Sequence, residues 1–569
     1  MVVLRGPPVA TGDFGGTKLS LLMEKQHNRG QDGAGAAVLS ANPVPGEEPY
    51  WIAKSASATP LADVLASIAK RPRISHGATE AQRDGEKIFL GHLRYATFGK
   101  NEVAFCHPFV HEASELEHTL LLAGNFNLTN AHELFDDYSR HGSFPTSKAD
   151  GYLICELIAH ELTQRHGDTE TTPIAAALST ALANADGAWT LCGATGDGWS
   201  FATRDPHGIR PGFYYVSDGV VAVASERPAI QAAFDVAPEA VKELPPGQAL
   251  VISPNGEVSF KTLVQSNDIT PCVFERIYFS RANDADIHRE RKALGAALVP
   301  SVLKAAGEPL ENIFFSYIPN SSRIAFHGLL EELFGKVKGF PRFGEIAVKD
   351  AKFRTFIADA AARREFYKHV YDVTYGLVRP GKDTLVVLDD SIVRGNTMKN
   401  AILPMLDRLG PKRIVIASSA PPIRYPDCYG IDMSTLGELV AFRALVNLLG
   451  NEVEDLLTGL TRSSGLSGDA PQPSNPVNPV YPVKKNPLVS LYARFTEEEH
   501  CAEIARLLTP PGMKAEVKVV YQTVAALHAA CPGSSGDWYF TGNYPTPGGY
   551  KVLAKALENY IERRNERSY

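Results

Sequence analysis

The sequence predicts an α+β front half, with antiparallel sheets covered by helices, and an α/β back half built on a parallel sheet. Three observations carry that reading. The chain has 569 residues, more than one hydrophobic core holds, so at least two domains are expected. Between about 90 and 260, short apolar runs are broken by Gly-Asp-Gly, Ser-Asp-Gly and Asn-Gly, which accept the positive φ of hairpin turns. After about 270, strand and helix patterns alternate as they do in crossover units.

Taken in order, a helix is expected near 19–25, where apolar residues recur at three- and four-residue spacing. The strands of the front half are read in KIFLGHLRYATFG, HTLLLAGNFNLTN, AWTLCGATGDGWSFATRD, GFYYVSDGVVAVAS and QALVISPNGEVSF, with helical periodicity between 149 and 184. The back half reads as a helix near 288–306, the strand NIFFSYIP, a helix near 322–335, a strand at 384–388, a helix from 397 and the strand RIVIASS. MSTLGELVAFRALVNLL, 433–449, reads as a packed helix. The Pro-, Ser- and Asn-rich stretch 463–487 has no apolar periodicity and reads as a surface loop or linker.

Composition narrows the function classes. Hydrophobic residues at 44%, charged residues at 21% and a net charge of −7 are ordinary globular values, which exclude general disorder and a nucleic-acid footprint. No apolar run approaches the roughly 20 residues that cross a bilayer, and MVVLRGPPVATGDFGG lacks a secretory pattern, so a cytoplasmic protein without a membrane partner is expected. The seven cysteines are scattered without a CxxC pair and are expected to be reduced.

The chemistry concentrates in TLVVLDDSIVRGNT, 384–397. Ligands of a parallel sheet bind beyond the carboxyl ends of its strands, where Asp389 and Asp390 stand. The loop behind them supplies hydroxyls at Ser391 and Thr397, a permissive Gly395 and backbone N–H groups leading into a helix, a cradle for a phosphate monoester. Two carboxylates beside it accept hydrogen bonds from vicinal hydroxyls or approach a divalent cation, which suits a phosphorylated sugar.

The whole string resembles the phosphoribosyl pyrophosphate (PRPP) motif of type I phosphoribosyltransferases. That resemblance gives Asp389 and Asp390 the ribose hydroxyls, and gives Ser391, Arg394, Gly395, Asn396 and Thr397 the 5-phosphate. FSYIPNSS resembles the pyrophosphate-binding loop of the same family, which implicates Pro319, Asn320, Ser321 and Ser322. KDAKFRTFI ends like its mobile closing loop, and Arg354 matches there.

The front half carries a second resemblance. MEKQHNRGQDGAG, GHLRYATFG, AGNFNLTN and KADGYLI are similar to class II glutamine amidotransferases of the N-terminal-nucleophile type. With the PRPP motif and DPHGIRPGFYY, the chain resembles the amidophosphoribosyltransferase family over most of its length. The resemblance implies a four-layer αββα, Ntn-hydrolase-like domain over 1–268, a phosphoribosyltransferase domain over 269–462, the linker 463–487 and a C-terminal extension over 488–569. It assigns Arg94, Thr97 and Asp150 to a glutamine substrate, and Asn125 with the backbone N–H of Phe126 to the oxyanion. The family's residue after that Asn is Gly, so the Phe126 ring reshapes the pocket.

In that family an amino-terminal Cys attacks the glutamine amide, whereas here the first cysteine is Cys106, internal and expected to be a buried small residue. Two explanations stay open. Either the natural start lies upstream with the Cys, or the glutaminase half is a scaffold and the transferase runs on free ammonia. The presence of Arg94, Asn125 and Asp150 favours the first.

The family further implies Mg²⁺ carried mainly by PRPP, with Asp389 and Asp390 as its nearest protein groups. It also implies feedback by purine nucleotides and a homo-oligomer. An iron–sulfur cluster, which some members hold, is not expected, because no CxxC pair is present. The expected reaction joins ammonia or glutamine-derived nitrogen to PRPP, the first step of purine synthesis. The competing reading is a catalytically dead paralogue that senses PRPP or nucleotides and regulates a partner.

Overall fold

The computed structural model describes residues 1–5, 13–40, 46, 48–72, 86–95, 102–140, 145–164, 173–265, 268–336, 339–349, 371–431, 433–463, 486, 488–564 and 566–568. They form two compact units, one built on Met1–Cys272 and one on Val273–Asp427 with most of the later chain; the short stretch that begins at Cys428 goes with the first. Among the described residues no helix is long and apolar enough to cross a membrane.

The strands of the first unit are β1 (Val2–Leu4), β2 (Gly33–Ser40), β3 (Tyr50–Ser55), β4 (Glu86–Arg94), β5 (Phe109–His111), β6 (Leu120–Leu128), β7 (Gly187–Thr195), β8 (Ser200–Arg204), β9 (Phe213–Val216), β10 (Val220–Ala224), β11 (Lys242–Glu243), β12 (Gln248–Ile252) and β13 (Val258–Thr262). They make one sheet in the order β11-β9-β10-β1-β4-β2-β3 and another in the order β13-β12-β8-β7-β6-β5. Every pairing within them is antiparallel.

Side-chain alternation explains why two sheets and six helices stack in four layers. Val3, Ile88 and Leu90 of the first sheet pack against Leu121, Ala202, Leu250 and Ile252 of the second. The alternate residues, Val2, Val38 and Phe89, face Leu19, Leu22 and Met23 of α1 (Phe14–Lys25), Val64 and Ile68 of α2 (Pro60–Lys70) and Ile230 of α6 (Arg227–Phe234). On the far side Leu120, Leu122 and Leu191 face α3 (Ala131–Arg140), α4 (Asp150–Thr163) and α5 (Pro173–Leu182), through Leu134, Leu153, Ile158 and Leu178. The expected αββα arrangement is therefore what forms.

The second unit carries β14 (Ile313–Tyr317), β15 (Arg342–Phe343), the antiparallel pair β16 (Ala347–Lys349) and β17 (Tyr371–Val373), β18 (Thr384–Asp389), β19 (Arg413–Ser418) and β20 (Glu516–Tyr521). Its main sheet is parallel, in the order β15-β14-β18-β19-β20. Phe315, Val386 and Val415 point to one face, against α8 (Val299–Ala306) and α9 (Arg323–Lys336). Phe314, Leu385, Val387, Ile414 and Val519 point to the other, against Ile402, Leu406, Ala444 and Ile504 from later helical segments.

Several elements differ from the sequence expectation. The helix near 288–306 is two helices, α7 (Ala285–Ala297) and α8, joined at Leu298 just before Pro300, whose ring cannot continue a helix interior. In 433–449 only Val440–Leu449 forms an α-helix. Residues 488–569 are not a separate extension, because Glu516–Tyr521 is the edge strand of the parallel sheet, in register with Arg413–Ser418.

Glycines set one close approach between two helices of the second unit. A Cβ on Gly295 of α7 would lie 1.7 Å from the Ala325 carbonyl oxygen, and one on Gly328 of α9 would lie 1.9 Å from that of Lys292. The two helices therefore cross backbone to backbone. Gly328→Ala is expected to push them apart and cost about 1–3 kcal/mol, measured as a lower denaturation midpoint; an unchanged midpoint would mean that the crossing is not tight.

Candidate active sites

The register of the parallel sheet brings two loops together. Tyr317 pairs with Leu388, so the turn after β14 and the turn after β18 emerge side by side at the carboxyl edge. Across that edge the Ser321 hydroxyl donates to Asp390 Oδ2, and the Ser391 hydroxyl donates to Asp390 Oδ1 at 2.9 Å. The backbone N–H of Asp390 donates to Asp389 Oδ1 at 3.0 Å. The loop 319–322 and the acids thus share one receptacle, with Pro319 and Ser322 buried, Asn320 exposed and the Pro319–Asn320 peptide cis.

The electrostatics of the pair follow from its enclosure. Burial, and the second carboxylate beside it, push the Asp389 carboxyl well above the ordinary carboxylate range, while the Asp390 N–H pulls it back. Burial also raises Asp390, against the Ser321 and Ser391 hydroxyls and the charge of Arg291. Two enclosed acids held this way are placed to accept hydrogen bonds from hydroxyl groups.

Behind them the loop is fixed at both ends. Gly395 takes φ +75°, and a Cβ there would lie 2.3 Å from Leu508 Cδ2. Its carbonyl accepts from the Lys399 N–H at 2.9 Å, opening a wide helical turn at Met398–Ile402. The Val440 N–H donates to the Val393 carbonyl at 2.9 Å, and Arg443 Nη2 donates to that of Arg394 at 2.7 Å. Arg394 itself pairs with Glu438 at 2.7 Å, while Asn396 and Thr397 are exposed at the rim.

Sequence reasoning missed the supports. The Ser419 and Ala420 N–H groups donate to the carbonyls of Asp389 and Asp390 at 2.9 and 3.0 Å. Buried Arg291 on α7 donates to the carbonyls of Arg276, Tyr278 and Ser280 at 2.8, 2.9 and 2.7 Å, so its charge beside Asp390 is held in place. The local sequence carries no signal for these contacts, since the partners come from distant strands and helices.

The first unit gathers a second group. Alternation along β4 sends Ile88 and Leu90 inward, hence also His92 and Arg94; along β6 it sends Leu121 inward, hence also Asn125. Among the described residues β5 pairs only with Leu120–Leu122, and no other strand covers the edge of β6 beyond. Its Gly124 N–H donates across that edge to His107 Nδ1 at 3.3 Å, and the Phe126 N–H, two residues on, points the same way. Arg94 is buried, and its guanidinium lies over the Phe105 ring.

The glycines of the MEKQHNRGQDGAG motif make room for this. A Cβ on Gly33 would lie 2.6 Å from Cys106 Sγ, and one on Gly35 would lie 1.9 Å from the His107 carbonyl oxygen. Asn28 and Arg29 of the same motif donate to buried Glu226, each at 2.7 Å, which anchors the turn. The Phe126 ring packs against His107, with centroids 5.4 Å apart, and against the position of Gly151.

Asp150 begins α4 and accepts from the Gly151 N–H at 2.9 Å. Burial raises its carboxyl to about 6, with the backbone N–H groups of Gly151 and Leu128 and the Arg94 charge acting the other way. An ammonium partner needs that carboxyl ionised. Binding of a ligand whose ammonium pairs with it, followed by calorimetry, is therefore expected to weaken as pH falls through about 6, where an ordinary solvated aspartate would hold until about 4; an acid limb near 4 would contradict the enclosure.

Cys106 is 0% exposed, and burial pushes its thiol up, so it is a packed residue rather than an activated nucleophile. Lys54, half-buried with Nζ 5.5 Å from the Phe109 ring, went unseen in the sequence; His92 and His107, which show no metal-ligand spacing in the sequence and read there as structural, are a stacked pair with centroids 4.0 Å apart, both kept neutral by burial. Thr97 and Arg354 lie outside the described residues. Among the described residues the one trio with metal-ligand reach is Glu115, Glu117 and His118, of which both acids are exposed.

No family model matches the chain. It is 30% identical over 370 residues to the amidophosphoribosyltransferase of Pseudomonas aeruginosa, covering 62% of this chain and 70% of that protein. The namesake of Archaeoglobus fulgidus is 29% identical over 398 residues, 67% of this chain and 81% of its own. Among solved structures, the glutamine phosphoribosylpyrophosphate amidotransferase of B. subtilis complexed with ADP and GMP is 24% identical. It superposes with a TM-score of 0.64 over 96% of this chain and 97% of its own.

Proposed function

Since the chain belongs to the amidophosphoribosyltransferase family, we propose that it displaces pyrophosphate from PRPP with ammonia to give 5-phosphoribosylamine, the first step of purine synthesis. The observation that supports this most is the pairing of Asp390 with Ser321, which unites the acid loop and the β14 loop in one receptacle.

In this reading Asp389 and Asp390 accept hydrogen bonds from the ribose hydroxyls. Ser391, Arg394, Gly395, Asn396 and Thr397 hold the 5-phosphate, and Pro319, Asn320, Ser321 and Ser322 hold the pyrophosphate. Positive charge builds at the anomeric carbon as pyrophosphate leaves, and the enclosed carboxylates stabilise it. Arg354 closes over the ribose to exclude water.

A hard divalent cation fits the donor set only in part. Both Asp390 oxygens accept from hydroxyls and one Asp389 oxygen accepts from a backbone N–H, so the pair offers an outer contact rather than a cage. Mg²⁺ carried by the ligand's own phosphates suits it, and supplies charge neutralisation of the leaving pyrophosphate.

On the nitrogen side, Arg94 pairs with the glutamine carboxylate, Asp150 with its ammonium, and Thr97 adds a polar contact. Asn125 and the Phe126 N–H serve the oxyanion. Purine nucleotides are the chain's feedback ligands, the working form is a homo-oligomer, and its place is the cytoplasm.

The test is pyrophosphate release from PRPP and Mg²⁺ with ammonium, glutamine or nucleobases as acceptor. Ammonium is expected to support turnover and nucleobases are not. Turnover with a nucleobase, or no release with ammonium, would overturn the reading.

A further inference from the structure

The carboxyl edge of the parallel sheet holds a tyrosine that neither the motif nor the loops account for. Asp389 pairs in register with Ser418, and Ser418 with Tyr521, so the three stand in one row across β18, β19 and β20. All three point to the same face: Leu385 and Val387, Ile414 and Ile416, and Val519 alternate with them into one apolar cluster, to which Tyr521 itself belongs. Two strand spacings separate the outer members, about 10 Å, a gap that an aspartate and a tyrosine side chain close around one ligand hydroxyl.

The phenol of Tyr521 is out of place in that cluster. The residue is 8% exposed, and among the described residues its hydroxyl has no hydrogen-bond partner. Ser418, its neighbour in the row, has its own hydroxyl engaged with the Ala420 carbonyl at 2.8 Å. A buried donor left unsatisfied costs stability that phenylalanine would not. Burial pushes the phenol well above its ordinary range, against the charge of Arg424, so it stays protonated and is a donor. Asp389 keeps one carboxylate oxygen beyond the one taken by the Asp390 N–H, and that oxygen is an acceptor.

We propose that Tyr521 is a further substrate-binding residue of the sugar-phosphate site, its phenol donating a hydrogen bond to the oxygen of a pentose hydroxyl that itself donates one to Asp389. An acceptor and a donor placed on either side of one oxygen recognise a hydroxyl and reject both a deoxy carbon and an ether. This rests on the reading of the site as a PRPP receptacle, and adds to it a residue from the last strand of the sheet, outside both loops.

The test is Tyr521→Phe, which keeps the ring and removes only the hydroxyl. Binding of PRPP with Mg²⁺ is measured by calorimetry on the full chain, beside the melting temperature and ammonia-driven kinetics. The dissociation constant and KM for PRPP are expected to rise about 3- to 10-fold with kcat nearly unchanged, while the melting temperature stays level or rises. The 2-deoxy and 3-deoxy analogues of PRPP then separate the roles, since the one lacking the recognised hydroxyl binds wild type and variant alike. Unchanged PRPP affinity in the variant, or an equal loss for PRPP and both analogues, would overturn the proposal. Failure of the wild-type chain to bind PRPP would instead overturn the reading of the site.

Discussion

Replacing Asp389 and Asp390 together by asparagine is expected to lower kcat/KM for PRPP by about a hundred- to ten-thousandfold while raising the melting temperature. The loss follows from two charge-assisted hydrogen bonds to ribose hydroxyls, each about 1.5–3 kcal/mol. The gain follows from the carboxyls' own environment. Both are raised by burial, Asp389 further by its neighbour, so the folded state binds protons more tightly than the unfolded chain. Such a group costs stability at neutral pH, and stability falls as pH climbs from the ordinary carboxylate range through the raised value. Asparagine removes that cost and keeps one oxygen as acceptor, while the Ser321 and Ser391 hydroxyls rotate to suit the amide. Steady-state assays with ammonium, paired with thermal denaturation, check both signs. Retained activity or a lower melting temperature in the double variant would contradict the account.

Gly395→Val is expected to empty the phosphate loop without unfolding the sheet. A β-branched residue at φ +75° carries about 1–3 kcal/mol of backbone strain. The added atoms also overlap Leu508, at 2.3 Å from the new Cβ, for about 1–3 kcal/mol more. The loop cannot yield easily, because Val393 and Arg394 are held from the helix Val440–Leu449 side and Lys399 begins the next turn. The expected result is a KM for PRPP raised at least thirtyfold with the circular dichroism of the strands and helices retained. A variant with native KM would mean that the loop does not hold the phosphate.

Much of this was legible in the sequence, for identifiable reasons. The hairpin strands of the front half show themselves because turn glycines and asparagines sit between apolar runs, and the parallel sheet because β18 and β19 carry the unbroken apolar runs Leu385–Leu388 and Ile414–Ala417. The first sheet was less legible. GAGAAVLS, buried along its whole length as β2, is mostly Gly and Ala, residues chosen for the close approach of Cys106 and His107 rather than for strand propensity. The edge strand β20 was hidden behind a long Pro-rich stretch, where nothing local says which sheet it joins.

The site divides the same way. Asp389, Asp390 and the loop behind them announce themselves, because strand, acids and permissive glycine are consecutive. Arg291, Ser419, Leu508 and Tyr521 do not, since each reaches the site through tertiary packing that no window of sequence records.

The most direct measurement is calorimetric titration of the full chain with PRPP and Mg²⁺, run beside the Asp389→Asn, Asp390→Asn double variant. One saturable site per chain is expected in the wild type, and its loss in a variant that melts no lower. Equal binding by both proteins would contradict the claim that the paired acids receive the activated pentose phosphate.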